Sequence, residues 1–251
     1  MSDPSRQQEI EYHDRLYSGF AQSHFAKAAV RDVRRHMVSR IIRLTGAGPS
    51  SRVLSLGCGI GDTELLMAPH VAEITGLDLS SAAIRQARRD AEHVPNARFI
   101  EESLETAHLE PASFDLIFAI FFLHHLSEAE LPQLAHNVRS LLGPHGRFYS
   151  LDPSRYRLSG AIGSLVIPKM MARYQSPNER PLIPEATAAV FSEAGLNTRL
   201  SYYDFISTPL AGLFPSWSAG YRFTRTVDNA LVRVPFLRKI ASNFEILASI
   251  E

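Results

Sequence analysis

Three glycines at alternate positions, Gly57, Gly59 and Gly61, close the apolar run Val53-Leu54-Ser55-Leu56. A short apolar run ending on glycine predicts a buried strand that turns sharply into a helix, because a residue without Cβ takes φ > 0 freely and lies flat against a ligand. The helix expected from about Asp62 through Ala68 aims free N–H groups at whatever sits over the loop. Further on, Ile74-Thr75-Gly76-Leu77-Asp78 reads as a second buried strand. Its terminal carboxylate stands where open α/β sheets bind ligands and where an acid accepts hydrogen bonds from ribose hydroxyls. Loop and acid together point to a ribose-bearing cofactor. The dinucleotide fingerprint is G-x-G-x-x-G, with a pyrophosphate over the helix N-terminus. Here the spacing is G-x-G-x-G and Asp62 follows it. An acid in the first helical turn repels a pyrophosphate but suits the positive end of the helix dipole. A phosphate-free nucleoside is expected, and a dehydrogenase is disfavoured.

This arrangement resembles the class I S-adenosylmethionine-dependent methyltransferases. Phe114-Asp115-Leu116-Ile117-Phe118-Ala119-Ile120 with Leu123-His124-His125-Leu126 is similar to the family's fourth strand and following loop. Leu141-Leu142-Gly143-Pro144-His145-Gly146-Arg147-Phe148 is similar to the turn before its fifth strand. The matches keep family order over roughly residues 51 to 152. The resemblance implies an α/β, Rossmann-like, seven-stranded mixed sheet of order 3-2-1-4-5-7-6 with strand 7 antiparallel, helices on both faces and helical caps. It also implies S-adenosyl-L-methionine held by Ser55, Gly57, Cys58, Gly59, Gly61, Asp78, Leu79, Ser103 and Leu104 and edged by the backbone of Ala119, Ile120 and Phe121. Two positions depart from the pattern. The family usually has an acid where Ser55 stands, reaching toward the methionine end of the cofactor, and an Asp where Ser103 stands, meeting the adenine amino group. A hydroxyl is a weaker acceptor than a carboxylate.

Methyl transfer is an in-line displacement that rewards alignment and exclusion of water. A hydroxyl or carbon acceptor also needs a base working near neutral pH, for which histidine is suited. His124 and His125 follow the fourth strand at the rim where acceptors bind in this fold, and Asp152 ends the fifth strand nearby; all three are candidate catalytic groups. In extended geometry only one of two adjacent histidines faces a pocket. Asp152 has an alternative role, capping a loop or pairing with Arg155. Tyr17, on the N-terminal helix, is placed to cover a sulfonium by a cation–π contact or simply to pack on the sheet. The ten histidines do not group at metal-ligand spacing with cysteines or carboxylates, so no metal is expected.

At 251 residues the chain fits a single domain, 1–251, with insertions. An N-terminal helical cap over 1–46, read as two helices, precedes a cofactor-binding core over 51–152. Within the core, strands are expected at ~51–56, ~73–78, ~97–101, ~114–121 and ~146–152, with helices at ~61–69, ~80–92 and ~128–142. Such alternation implies right-handed crossovers and a parallel sheet. Two substrate-cap insertions follow, 155–182 and 209–241, the first rich in Met and Gly over 158–174. The C-terminal part of the sheet is 183–208 and 242–251, with strands ~197–207 and ~243–250. Lys+Arg and Asp+Glu balance at 26 each, so no overall field draws nucleic acid. The single cysteine, Cys58, excludes an internal disulfide. A polar N-terminus and the absence of a long apolar run point to a cytoplasmic protein.

The leading expectation is methylation of a small, largely apolar molecule, since both caps are rich in Met or aromatic side chains. Residues 209–241 set Trp217, Tyr221 and Phe223 beside Arg222, Arg225, Arg233 and Arg238. That composition suits either an internal lid or a segment resting on anionic headgroups. The alternatives are a non-catalytic protein that binds the cofactor as a signal and an enzyme acting on a macromolecule. Oligomeric state is not legible.

Overall fold

The computed structural model describes residues 4–18, 20–160, 165 and 179–250. Helices α1 (Pro4–Tyr17), α2 (Phe20–Phe25) and α3 (Ala28–Thr45) precede β1 (Arg52–Leu56), α4 (Asp62–Met67), β2 (Glu73–Asp78), α5 (Ser81–Asp90) and β3 (Ala97–Glu101). Then follow β4 (Phe114–Ile120), a 3₁₀ turn (Leu123–His125), α6 (Glu130–Leu141) and β5 (Leu142–Pro153). The C-terminal part comprises α7 (Pro184–Glu193), β6 (Asn197–Asp204), α8 (Ser207–Leu213), α9 (Ser218–Leu231) and β7 (Asn243–Ser249). The strands form one sheet in the order β3-β2-β1-β4-β5-β7-β6, parallel except for β7, which runs antiparallel to both its neighbours. This is the expected Rossmann-like topology. Most of the insertion 155–182, with the Met-rich stretch, lies outside the described residues.

Strand alternation builds two core layers, because successive side chains leave opposite faces of a sheet. Leu54, Leu56, Ile117 and Ala119 pack on one face with Leu134 and Val138 of α6 and Phe191 of α7. Val53, Leu116, Phe118 and Tyr149 pack on the other with Val33, Met37 and Ile41 of α3. So α3 is a layer of the fold, and the N-terminal segment has three helices where two were expected. The break falls at Lys27, whose backbone is extended, and the start of α3 is tied to the C-terminal cap by Ala29 N–H donating to the Pro215 carbonyl at 2.8 Å.

β6 stops at Asp204, short of the expected 207. The Asp204 carboxylate accepts from Thr208 N–H at 2.8 Å, and Asp228 accepts from Ser207 N–H at 2.8 Å. The first turn of α8 is thus capped from both sides, which an extended strand would forbid. Arg225, expected at a cap surface, is buried instead: it lies over the Tyr203 ring at 4.4 Å and donates to the Tyr203 carbonyl at 2.7 Å.

A buried carboxylate braces the antiparallel half. Glu245 on β7 receives both Arg40 Nε and Nη2 at 2.5 Å, Tyr149 Oη at 2.6 Å and Ser201 Oγ at 3.1 Å. Removing one partner of a buried ion pair leaves the other charge uncompensated. Glu245→Ala is expected to lower the unfolding free energy by ~3–5 kcal/mol, measured by urea denaturation; a loss under about 1 kcal/mol would show that Arg40 finds water instead.

Candidate functional site

The glycine loop sits at the C-terminal edge of the parallel strands. Gly57, Gly59 and Gly61 all have positive φ, at 68°, 53° and 75°. A Cβ on Gly61 would fall 2.6 Å from the Phe99 ring, and one on Gly59 would fall 2.7 Å from the Tyr17 hydroxyl. Sterics and backbone together demand glycine here. The loop is bonded to β2 by Cys58 N–H donating to the Leu77 carbonyl at 3.0 Å and Gly59 N–H donating to Asp78 Oδ2 at 2.8 Å. Asp78 Oδ1 accepts from Ser80 N–H at 2.8 Å, and the Ser80 side chain caps α5. Burial raises the pKa of Asp78 while these two N–H bonds oppose the rise. Each carboxylate oxygen still has a second acceptor site.

Two adjoining lobes open around the loop. The first, a cavity of about 470 Å³, is lined by Asp78, Leu79, Ser103 and Leu104 and by Glu102 beside them. The second, about 310 Å³, is lined by Ser55, Cys58, Gly59, Glu64, Arg34 and His124. His13, Tyr17, Gly57, Phe121 and His125 border both. Ile120 lines the second lobe, whereas Ala119 is fully buried in the core and Gly61 serves as the N-cap of α4, so neither side of the pocket includes them. Phe121 turns the chain out of β4 at φ 55°, a strained conformation for a bulky residue, with its N–H held by the Leu151 carbonyl at 2.7 Å. Ser103 bonds locally to Thr106.

His124 and His125 both reach the second lobe. The expectation that only one would do so assumed an extended chain; the 3₁₀ turn instead leaves their ring centroids 4.0 Å apart. His124 Nδ1 meets Asp152 Oδ1 at 2.9 Å, and the His124 backbone N–H donates to the same oxygen at 3.3 Å. Asp152 is fully buried beneath the histidine, lines neither lobe and makes no pair with Arg155 among the contacts described. A carboxylate at Nδ1 selects the tautomer protonated there and leaves the lone pair on Nε2. Burial lowers the pKa of His124, with Asp152 opposing. His125 Nδ1 pairs with Glu9 Oε1 of α1 at 2.7 Å. Glu9, His13 and His125 bring ligand-type atoms within 4.8 Å of one another. Sequence spacing missed this trio, because His125 is joined to α1 only by folding.

α1 is latched over the loop. Asp14 accepts from Ser80 Oγ at 2.5 Å and from Ala82 N–H at 3.0 Å. Tyr17 stacks on His13, with centroids 6.0 Å apart.

Residues 53–146 match the family profile described as a methyltransferase domain. That stretch, which carries the glycine loop and Asp78, is similar to methyltransferase domains. It is 32% identical over 126 residues to the S-adenosyl-L-methionine-dependent Diels-Alderase iccD of Talaromyces variabilis, covering 48% of this chain and 42% of that protein. It is 25% identical to the ubiquinone biosynthesis O-methyltransferase of Photorhabdus laumondii, over 66% of this chain and 71% of the relative. The fold matches the crystal structure of the YcgJ protein of Bacillus subtilis with a TM-score of 0.59 at 21% identity, covering 85% of this chain and 97% of that one. The leading curated relatives are matched over only about two-fifths to one-half of their own length.

Replacing Asp78 by Ala removes a charged acceptor and the anchor of the loop. Calorimetry with S-adenosylhomocysteine is expected to show affinity weakened by ~1.5–3 kcal/mol; unchanged affinity would dissociate Asp78 from the ligand.

Proposed function

We propose that this chain transfers the methyl group of S-adenosyl-L-methionine to a small, largely apolar molecule. The observation that carries the reading is the paired cleft, in which the carboxylate of Asp78 and the glycine loop share walls with a lobe faced by Leu16, Phe25, Val30, Val33 and Ala211. A polar half suits the nucleoside, and an apolar half suits an acceptor brought in-line. Relatives named as O-methyltransferases and a thiol methyltransferase favour small acceptors.

Held by the glycine loop and Asp78, the cofactor would supply an electrophilic methyl group. The chain's part is to align the acceptor, exclude water and take its proton. His124 is suited to the last task, since Asp152 holds Nδ1–H and leaves Nε2 free to accept. Tyr17 and His125, carried on or tied to α1, close the cleft. No described helix is long and apolar enough to cross a membrane. Peripheral contact is part of the same reading: Phe214, Trp217, Phe223 and Phe236 are exposed among exposed Arg222, Arg233, Arg238 and Lys239.

The decisive experiment is a screen for acceptor-dependent conversion of S-adenosylmethionine to S-adenosylhomocysteine; tight binding with no turnover on any acceptor would favour a cofactor-sensing protein. With an acceptor in hand, His124→Ala is expected to lower kcat by ~10²–10⁴-fold with cofactor affinity retained. Because burial lowers the histidine pKa, the neutral base should persist through pH 6.5 and activity should fall only in more acid solution. Full kcat in the variant would move the histidine to a structural role. In sedimentation assays, binding to anionic but not neutral vesicles, weakened by salt, is expected. No binding to anionic vesicles at low salt would leave a soluble acceptor.

A further inference from the structure

Glu64 is a buried carboxylate with half of its acceptor capacity unused. It lies in the first turn of α4 and is 2% exposed, and its Oε1 accepts from Ser55 Oγ at 2.5 Å. Its Oε2 is buried with no hydrogen-bond partner. Burial pushes its pKa up to about 7 and Asp62 adds to the rise, while the Ser55 hydroxyl, the backbone N–H of Glu64 and Arg34 oppose it. Arg34 is itself engaged by Asp62 at 2.8 Å. An anion kept out of water with an open oxygen is costly unless something arrives to complete its shell.

The Glu64 side chain borders ligand space. Glu64 lines the second lobe together with Ser55, Cys58 and Gly59, while Asp78 lines the first, and Gly57 walls both. A nucleoside whose ribose sits on Asp78 therefore extends its 5′ arm past Gly57 toward Glu64. In S-adenosylmethionine and S-adenosylhomocysteine that arm ends in an amino acid, whose α-ammonium is a three-donor cation. Ser55 cannot meet this cation as an anion, and its proton is already directed to Glu64.

We propose that Glu64 is the anionic acceptor for the α-ammonium of the cofactor's amino-acid arm, reaching from α4 the space that an acid at position 55 would reach from β1. The inference rests on the proposed cofactor. It makes Ser55 a positioning residue that orients the carboxylate. It also accounts for the missing acid in β1: the charge has moved to the first turn of the neighbouring helix.

The test compares two ligands on the intact protein by calorimetry: S-adenosylhomocysteine, which carries the amino acid, and 5′-methylthioadenosine, which does not. Glu64→Gln is expected to weaken S-adenosylhomocysteine at least about tenfold while leaving 5′-methylthioadenosine within about twofold. Adding Ser55→Asp to Glu64→Gln should restore the lost affinity. The charged and titratable groups facing Glu64 are Cys58 in the loop, Asp62 on its own helix and Arg34 on α3, beside the neutral Ser55 hydroxyl on β1. As pH rises from 6 to 8 the carboxylate ionises, so affinity of the parent protein for S-adenosylhomocysteine should rise and that for 5′-methylthioadenosine should stay level. Equal affinity of parent and Glu64→Gln for S-adenosylhomocysteine would overturn the proposal. Equal loss of both ligands would overturn it too, by making Glu64 a prop for the loop. If the parent protein binds neither ligand, the cofactor assignment fails first and the role of Glu64 falls with it.

Discussion

Two backbone N–H groups, those of Gly59 and Ser80, converge on the carboxylate of Asp78, and the cleft is organised around that convergence. One belongs to the loop after β1 and the other to the turn before α5, so a single side chain on β2 sets the distance between them. Desolvation works against the charge and the two donors work for it. Through Ser80 the constraint extends to Asp14, which accepts from the Ser80 hydroxyl and from Ala82 N–H. α1 is thereby fastened above the loop, with Glu9, His13 and Tyr17 facing into the cleft. Tyr17 approaches so closely that only glycine fits at position 59.

The buried carboxylates divide into two kinds by how fully they are satisfied. Glu245 receives four hydrogen bonds from Arg40, Tyr149 and Ser201, and Asp204 is met by Ser207, Thr208 and Asn243. These belong to the antiparallel half of the sheet and line neither lobe, and their saturation makes them braces. Glu64 and Asp152, at or beneath the second lobe, each keep a buried oxygen without a partner. Asp152 spends its other oxygen on orienting His124, and Glu64 spends its other oxygen on Ser55. Among these four carboxylates, incomplete satisfaction falls at the cleft, where stability and ligand recognition make opposing demands.

Much of the frame was legible because local rules and the fold agree. The alternation of apolar runs with amphipathic segments and the turn at the glycine loop act within a few residues, and the sheet order followed from resemblance. Boundaries failed where distant side chains intervened. The start of α3 is held by Pro215, and β6 ends where Asp204 and Asp228 cap α8. Arg225 looked like a surface cation because its partner, the Tyr203 ring, lies on another element.

By itself the sequence determined the glycine loop, the acid at the end of β2 and the parallel core that presents them, since each depends on backbone conformation and side-chain period. The tertiary structure alone decided how the charges at the cleft are shared. A 3₁₀ turn, not an extended chain, brings both His124 and His125 to one lobe and sets Asp152 beneath the first of them. The turn from β1 into α4 brings the Glu64 carboxylate onto the Ser55 hydroxyl, nine residues back along the chain. Electrostatic partnership depends on distance in space, and a residue's type and spacing along the chain do not carry that information.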